Sequence, residues 1–253
     1  MLNIDPTMPP LEILKLCEGY YSCPIGPNGE FLGPLVGYAG KYDGTLHYVG
    51  TEYFNWAMLE ERPALAYILA QQLGPQVNWM LNGDRAIDTF CGAPEGGKAP
   101  AIFLGCILDK RYIYPEKQLD KTAAETGQRA EFFLEFIRHQ VKPGERIVLC
   151  EDLLNNFSTT AQLIEIIMRQ GATVVGIAAW QNRSTTVDRL FTCTIDGKEL
   201  TLPVICLVYQ PIEQFRQDDS TVAEAVAADN VAWKPKDEWP RLKAAMDAYP
   251  ATV

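Results

Sequence analysis

Glu151 and Asp152 stand side by side at the end of the apolar run Ile147-Val148-Leu149-Cys150, and Asn155, Asn156, Ser158, Thr159 and Thr160 follow them closely. Ionised carboxylates accept hydrogen bonds strongly, so two adjacent ones suit the vicinal hydroxyls of a ribose. Thr159 with Gln162 three residues later fits a capping box, which sets a helix start and aims its free backbone N–H groups at the preceding loop. Those amides, the positive end of the helix dipole and the hydroxyls of Ser158, Thr159 and Thr160 form a cradle suited to a phosphate monoester. Taken alone, an acidic pair after a strand is often only a solvated loop start, so the elements that position it matter.

Other chemistries find less support. His47 and His139 are the only histidines, far apart and without partners at ligand or triad spacing, so neither a zinc site nor a Ser/His/Asp triad assembles. The cysteines at 17, 23, 91, 106, 150, 193 and 206 are odd in number and scattered, without a Cys-x-x-Cys pair, and read as reduced thiols. With 22 basic against 32 acidic residues the net charge is −10, so the surface as a whole repels nucleic acid and anionic membrane. Any anionic ligand must be held locally. The first residues lack a charged n-region followed by an apolar h-region, and no apolar run reaches the length of a membrane span, so a cytoplasmic protein is expected.

The 253 residues, 47% of them hydrophobic, suffice for one large core or a core with a small lobe. Leu11 to Cys17 has helical spacing, and the Gly/Pro/Tyr-rich stretch Glu18 to Gly50 reads as a loop-rich lobe. Pro63 to Leu73 is amphipathic, with Leu65, Ile68, Leu69 and Leu73 on one face. Beyond it short apolar strands alternate with helices, which predicts βα units stacked into an open, mainly parallel sheet, an α/β fold. The predicted strands are Ala86 to Cys91, Arg111 to Tyr114, Arg146 to Cys150, Thr173 to Trp180 and Val204 to Tyr209. Helices are expected over Ala99 to Leu108, Arg129 to Gln140, Thr160 to Arg169 and about Thr221 to Ala228. Leu190 to Leu202 reads as a hairpin turning at Asp196-Gly197. Three regions follow: an N-terminal hood over 1–80, a core over 81–210, and a helical tail over 211–253 that packs on the core.

The segment Ile147 to Thr160 resembles the phosphoribosyl pyrophosphate signature of the type I phosphoribosyltransferases, and the pattern is most similar to that of the orotate enzymes. Gly92-Ala93-Pro94-Glu95-Gly96-Gly97-Lys98-Ala99 resembles their pyrophosphate loop. Tyr112 to Lys117 sits where they have a strand ending in Arg-Lys, and Lys117 to Gly127, with Lys121, resembles their catalytic loop. Trp180-Gln181-Asn182-Arg183 is similar to the Asp-Arg that ends their next strand. A weaker echo lies in Lys41 and in Tyr53 to Asn55. Three positions depart from the pattern: Asn155 stands in place of a threonine, Glu116 in place of the arginine before Lys117, and Phe157 in place of a glycine, where a bulky ring should narrow or reshape the phosphate cradle.

The resemblance implies transfer of ribose 5-phosphate from phosphoribosyl pyrophosphate to a nucleobase, orotate or a related pyrimidine, in nucleotide biosynthesis. It implies Glu151 and Asp152 on the ribose hydroxyls, and Asn155, Asn156, Ser158, Thr159 and Thr160 on the 5′-phosphate. It further implies Glu95, Gly96, Gly97 and Lys117 at pyrophosphate, Lys121 in loop closure and Arg183 near the base, with Lys117, Lys121 and Asp152 as the catalytic set. Mg²⁺ is the implied cofactor, reached by Glu151 and Asp152 through water rather than as direct ligands. A homodimer is the implied assembly. The alternative is a non-catalytic protein that senses a phosphoribosyl ligand on the same fold.

Overall fold

The computed structural model describes residues 5–82, 86–119 and 132–249. Two compact units divide the chain, one made of Met1–Ile13 with Leu59–Pro211 and the other of Leu14–Met58 with Ile212–Val253. The expected boundary near residue 80 therefore lies at Leu59, and the residues after Pro211 group with Leu14–Met58 rather than forming a tail of their own.

The first unit holds a six-stranded sheet in the order β11-β12-β10-β9-β5-β6. Its strands are β5 (Thr89–Gly92), β6 (Arg111–Ile113), β9 (Arg146–Leu154), β10 (Thr173–Asn182), β11 (Leu190–Ile195) and β12 (Lys198–Tyr209). All neighbours run parallel except β11, which is antiparallel to β12. This is the open, mainly parallel α/β sheet that the alternating pattern predicts. β12 continues through Pro203 as one strand: its first half pairs with β11 and its second half, from Val204, pairs with β10.

Side-chain alternation assigns the two faces of the sheet. Ile147, Leu149, Ile177 and Val204 share a core with Leu163, Ile164 and Ile167 of helix α4 (Ser158–Arg169). The alternate positions, such as Val148 and Ala178, face the other way, where α2 (Pro63–Met80) and α3 (Lys98–Leu108) pack on the sheet and on each other. Helix α2 outlasts the expected end at Leu73 because Val77 extends the buried stripe past Pro75. At the strand starts, the Asp88 carboxylate accepts hydrogen bonds from the backbone N–H and the guanidinium of Arg146, which ties the beginning of β5 to β9.

One expected helix is absent. Within the described part of 129–140, Phe132–Glu135 is a strand, β8, antiparallel to β7 (Glu116–Leu119). The dense apolar run there fits either period, and the cross-strand pairing decides it. β7 and β8 flank residues 120–131, which lie outside the described residues and include Lys121.

The second unit is built on strands where loops are expected. Within Glu18 to Gly50 lie β1 (Tyr20–Ser22), β2 (Leu35–Tyr42) and β3 (Leu46–Gly50). β1 pairs with β4 (Glu52–Phe54); β2 and β3 form a hairpin that turns at Asp43 and Gly44, both left-handed. Its small core is Leu35, Val49, Val222 and Val231, the last from β13 (Val231–Ala232), which runs parallel to β2. The short helices α5 (Ala223–Ala227) and α6 (Trp239–Ala248) complete the unit. Among the described residues no helix is long and apolar enough to cross a membrane.

Candidate active site

In an open parallel sheet, ligands gather beyond the carboxyl ends of the strands. β9 ends there with Glu151 and Asp152 still inside the strand, flanked by β10 and by the turn after β5. That turn, 93–97, folds tightly onto β9: the Ala93 N–H donates to the Cys150 carbonyl at 2.9 Å. A side chain at Gly97 would lie 2.1 Å from the same carbonyl, and one at Gly96 would lie 2.3–2.4 Å from the Asp152 carboxylate. Gly97 is thus required by its close approach to backbone, and Gly96 brings the expected pyrophosphate loop directly against the expected ribose ligand. Asp152 also accepts a hydrogen bond from the Leu153 N–H at 2.9 Å.

Beyond the strand, Asn155, Asn156 and Phe157 form the turn into α4. A cavity of about 80 Å³ opens here, lined by Glu151, Asn155, Asn156, Ser158, Thr159 and Thr160 together with Leu153, Leu154 and Phe157. The helix start differs from the capping-box expectation. Phe157, in the left-handed region at φ 58°, is the N-cap, and no side chain caps the helix at that position. Asn156 Oδ1 instead accepts from the Ser158 N–H at 3.2 Å and the Ser158 hydroxyl at 3.0 Å, just outside the helix. Thr160 is 2% exposed, so it belongs to the helix packing as well as to the cavity wall.

Phe157 is 4% exposed and its ring stacks on Phe191 within the core beneath α4, while the residue also lines the cavity.

Burial, and then the neighbouring Asp152, push the Glu151 carboxyl up to about 8, while Lys117, exposed on β7, pulls in the opposite direction. Glu95 is largely exposed and pairs with Lys98. Arg183, one residue past β10, donates its N–H to the Leu154 carbonyl at 3.0 Å, which ties the end of β10 to the end of β9; it is not part of the cavity lining. Glu116 lies 3.1 Å from the Arg138 guanidinium, an ion pair that sequence reading missed because Arg138 falls in the stretch expected to be helical. Among the described residues no group of three or more His, Cys, Asp or Glu side chains is placed to hold a metal ion.

No family model matches the chain. Curated relatives do: the orotate phosphoribosyltransferase of Sulfurimonas denitrificans is 27% identical over 169 residues, 67% of this chain and 73% of that protein. That of Campylobacter jejuni is 26% identical over 186 residues, 72% and 84% of the two chains. Over these stretches the chain is similar to orotate phosphoribosyltransferases. Against the orotate phosphoribosyltransferase of Nitratiruptor sp., at 28% identity, the match spans 58% of that protein's length. Among solved structures, the Aeropyrum pernix orotate phosphoribosyltransferase matches 78% of this chain and 92% of its own, at 16% identity and a TM-score of 0.47. UMP synthase of Leishmania donovani matches 95% and 42%, at 14% identity and a TM-score of 0.48.

Proposed function

We propose that this chain is a phosphoribosyltransferase that moves ribose 5-phosphate from phosphoribosyl pyrophosphate to a nucleobase, with orotate or a related pyrimidine as acceptor. One observation carries the reading: Gly96 packs against the Asp152 carboxylate beside a cavity formed by the α4 turn. Sugar, 5′-phosphate and pyrophosphate then have adjoining places at one sheet edge.

In this reading Glu151 and Asp152 accept hydrogen bonds from the ribose hydroxyls. Asn155, Asn156, Ser158, Thr159 and Thr160, with the first amides of α4, receive the 5′-phosphate. Glu95, Gly96, Gly97 and Lys117 meet the pyrophosphate, Lys121 closes the loop and Arg183 faces the base. A ring nitrogen of the base attacks the anomeric carbon as the bond to the pyrophosphate oxygen breaks, so positive charge builds on the sugar and negative charge on the leaving group. The carboxylates stabilise the first and the cations the second. The donor set suits Mg²⁺, a hard cation that keeps water and phosphate oxygens as most of its ligands; Glu151 and Asp152 would hold it through water, and it would neutralise the leaving group. The same resemblance supports a homodimer.

The burial of Phe157 against Phe191 and the pairing of Glu116 with Arg138 weigh against the non-catalytic alternative, because each of these two departures from the motif has a partner within the protein. The test is pyrophosphate release from phosphoribosyl pyrophosphate with Mg²⁺ and a panel of pyrimidine and purine bases. Turnover with orotate, lost in Asp152→Asn, is expected. No turnover with any base, combined with thermal stabilisation by ribose 5-phosphate, would replace the enzyme by a sensor.

A further inference from the structure

We propose that Arg138 and Lys98, gathered on Tyr114, are the cations that receive the pyrophosphate end of the substrate, and that Glu116 holds Arg138 until the anion arrives. The inference rests on the phosphoribosyltransferase reading and extends its pyrophosphate site to Arg138, outside the motifs, and to the Lys98 side chain at the end of the 92–99 stretch.

Tyr114 lies just past β6, at the carboxyl end of the sheet. The Lys98 ammonium stands 4.6 Å from its ring centroid, the His139 imidazole meets the ring edge-on at 4.6 Å, and Arg138 Nη1 is 3.5 Å from its hydroxyl. Lys98 opens α3 directly after Gly96 and Gly97, and its ammonium pairs with Glu95 in the same turn. Arg138 Nε lies 3.1 Å from Glu116, the residue before Lys117. Lys98 and Arg138 therefore meet at Tyr114, Lys98 from the end of the 95–97 turn and Arg138 from its pair with Glu116 at the start of β7.

Burial and the nearby Arg111 lower the His139 pKa, against an opposing effect of Glu116, so the neutral imidazole is favoured beside the charged Lys98 and Arg138. The Arg138 side chain is 70% exposed while that of Glu116 is 24% exposed, so the guanidinium reaches solvent and can meet an anion from there. A guanidinium engages phosphoryl oxygens through two parallel hydrogen bonds, which makes a polyanion a stronger partner than one carboxylate.

Titration of the full chain with pyrophosphate and, separately, ribose 5-phosphate, both with Mg²⁺, tests this. Arg138→Gln and Lys98→Met should each raise the Kd for pyrophosphate about tenfold or more, because a hydrogen-bonded charge is lost, and leave ribose 5-phosphate unchanged. Arg138→Lys should recover part of the loss. Glu116→Gln, which removes the competing carboxylate, should tighten pyrophosphate binding, and that gain should vanish in the Glu116→Gln/Arg138→Gln double variant. Unchanged pyrophosphate affinity in Arg138→Gln and Lys98→Met overturns the inference, as does wild-type chain that binds ribose 5-phosphate but no pyrophosphate. Failure of the wild type to bind either ligand overturns the phosphoribosyltransferase reading itself.

Discussion

Phe157 and Phe191 stack with ring centroids 4.7 Å apart and planes 14° from parallel, joining the turn before α4 to β11. Phe157 holds this contact from a left-handed backbone at φ 58°, which costs a non-glycine residue about 1 kcal/mol. The stack therefore offsets a local strain, and it explains how a large side chain can occupy the turn before α4. Phe157→Ala keeps the strain and loses the ring, while Phe157→Gly loses the ring and relieves the strain. The glycine variant should be the more stable of the two by about 1 kcal/mol, the reverse of the usual order of these residues. Urea unfolding of both variants checks the order.

Gly96 and Gly97 should respond differently to alanine. A methyl at Gly97 meets backbone, the Cys150 carbonyl at 2.1 Å, so Gly97→Ala must displace β9 or the turn. A melting temperature lower by several degrees is expected, since each 1 kcal/mol lost moves the midpoint of a domain this size by about 2–4 °C. At Gly96 the methyl meets the Asp152 carboxylate, a side chain that can rotate away. Gly96→Ala should leave stability nearly intact and weaken ribose 5-phosphate binding, read by melting and by titration of the same variant.

Glu151 gives the protein a pH signature. The fold favours its neutral form, having raised the carboxyl from the ordinary 4.5 to about 8. The stability it contributes is complete below about pH 4.5 and is lost as the pH rises through about 8. Glu151→Gln imitates the neutral form, so melting temperatures measured from pH 5 to pH 8.5 should fall less steeply in the variant than in the wild type. Parallel curves would mean that the carboxyl ionises at its ordinary value. Ribose 5-phosphate binding should run the other way and strengthen over the same range in the wild type, as the ionised carboxylate becomes available to the sugar.

The strand-turn-helix that carries the site was legible because several local signals coincide there: an apolar run, paired carboxylates, small polar residues, then a helical stripe. The Asp196-Gly197 hairpin was equally plain, and its arms pair as β11 and β12. The Glu18 to Gly50 stretch was not, because its strands are short and rich in Gly, Pro and Tyr, and tertiary contacts hold them. Tyr21, fully buried, donates its hydroxyl to the Pro34 carbonyl, a partner that no local pattern reveals. Phe132 to Glu135 failed for another reason: the residues that decide between strand and helix lie across the pairing, at Glu116 to Leu119. At the site, the inward turn of Phe157 was hidden because its partner Phe191 is distant in sequence. The corner formed by Lys98, Tyr114, Arg138 and His139 was hidden for the same reason.

β13 contributes only Val231 and Ala232, yet it lies beside Leu35 and Val36 of β2, although Val231 comes 196 positions after Leu35. During synthesis on the ribosome, β2 must wait for its parallel neighbour while those residues are added. Until then Leu35, fully buried in the folded protein, has no Val231 to pack against. The nascent chain thus carries an unsatisfied strand edge over that interval, open to chaperones and to misassembly.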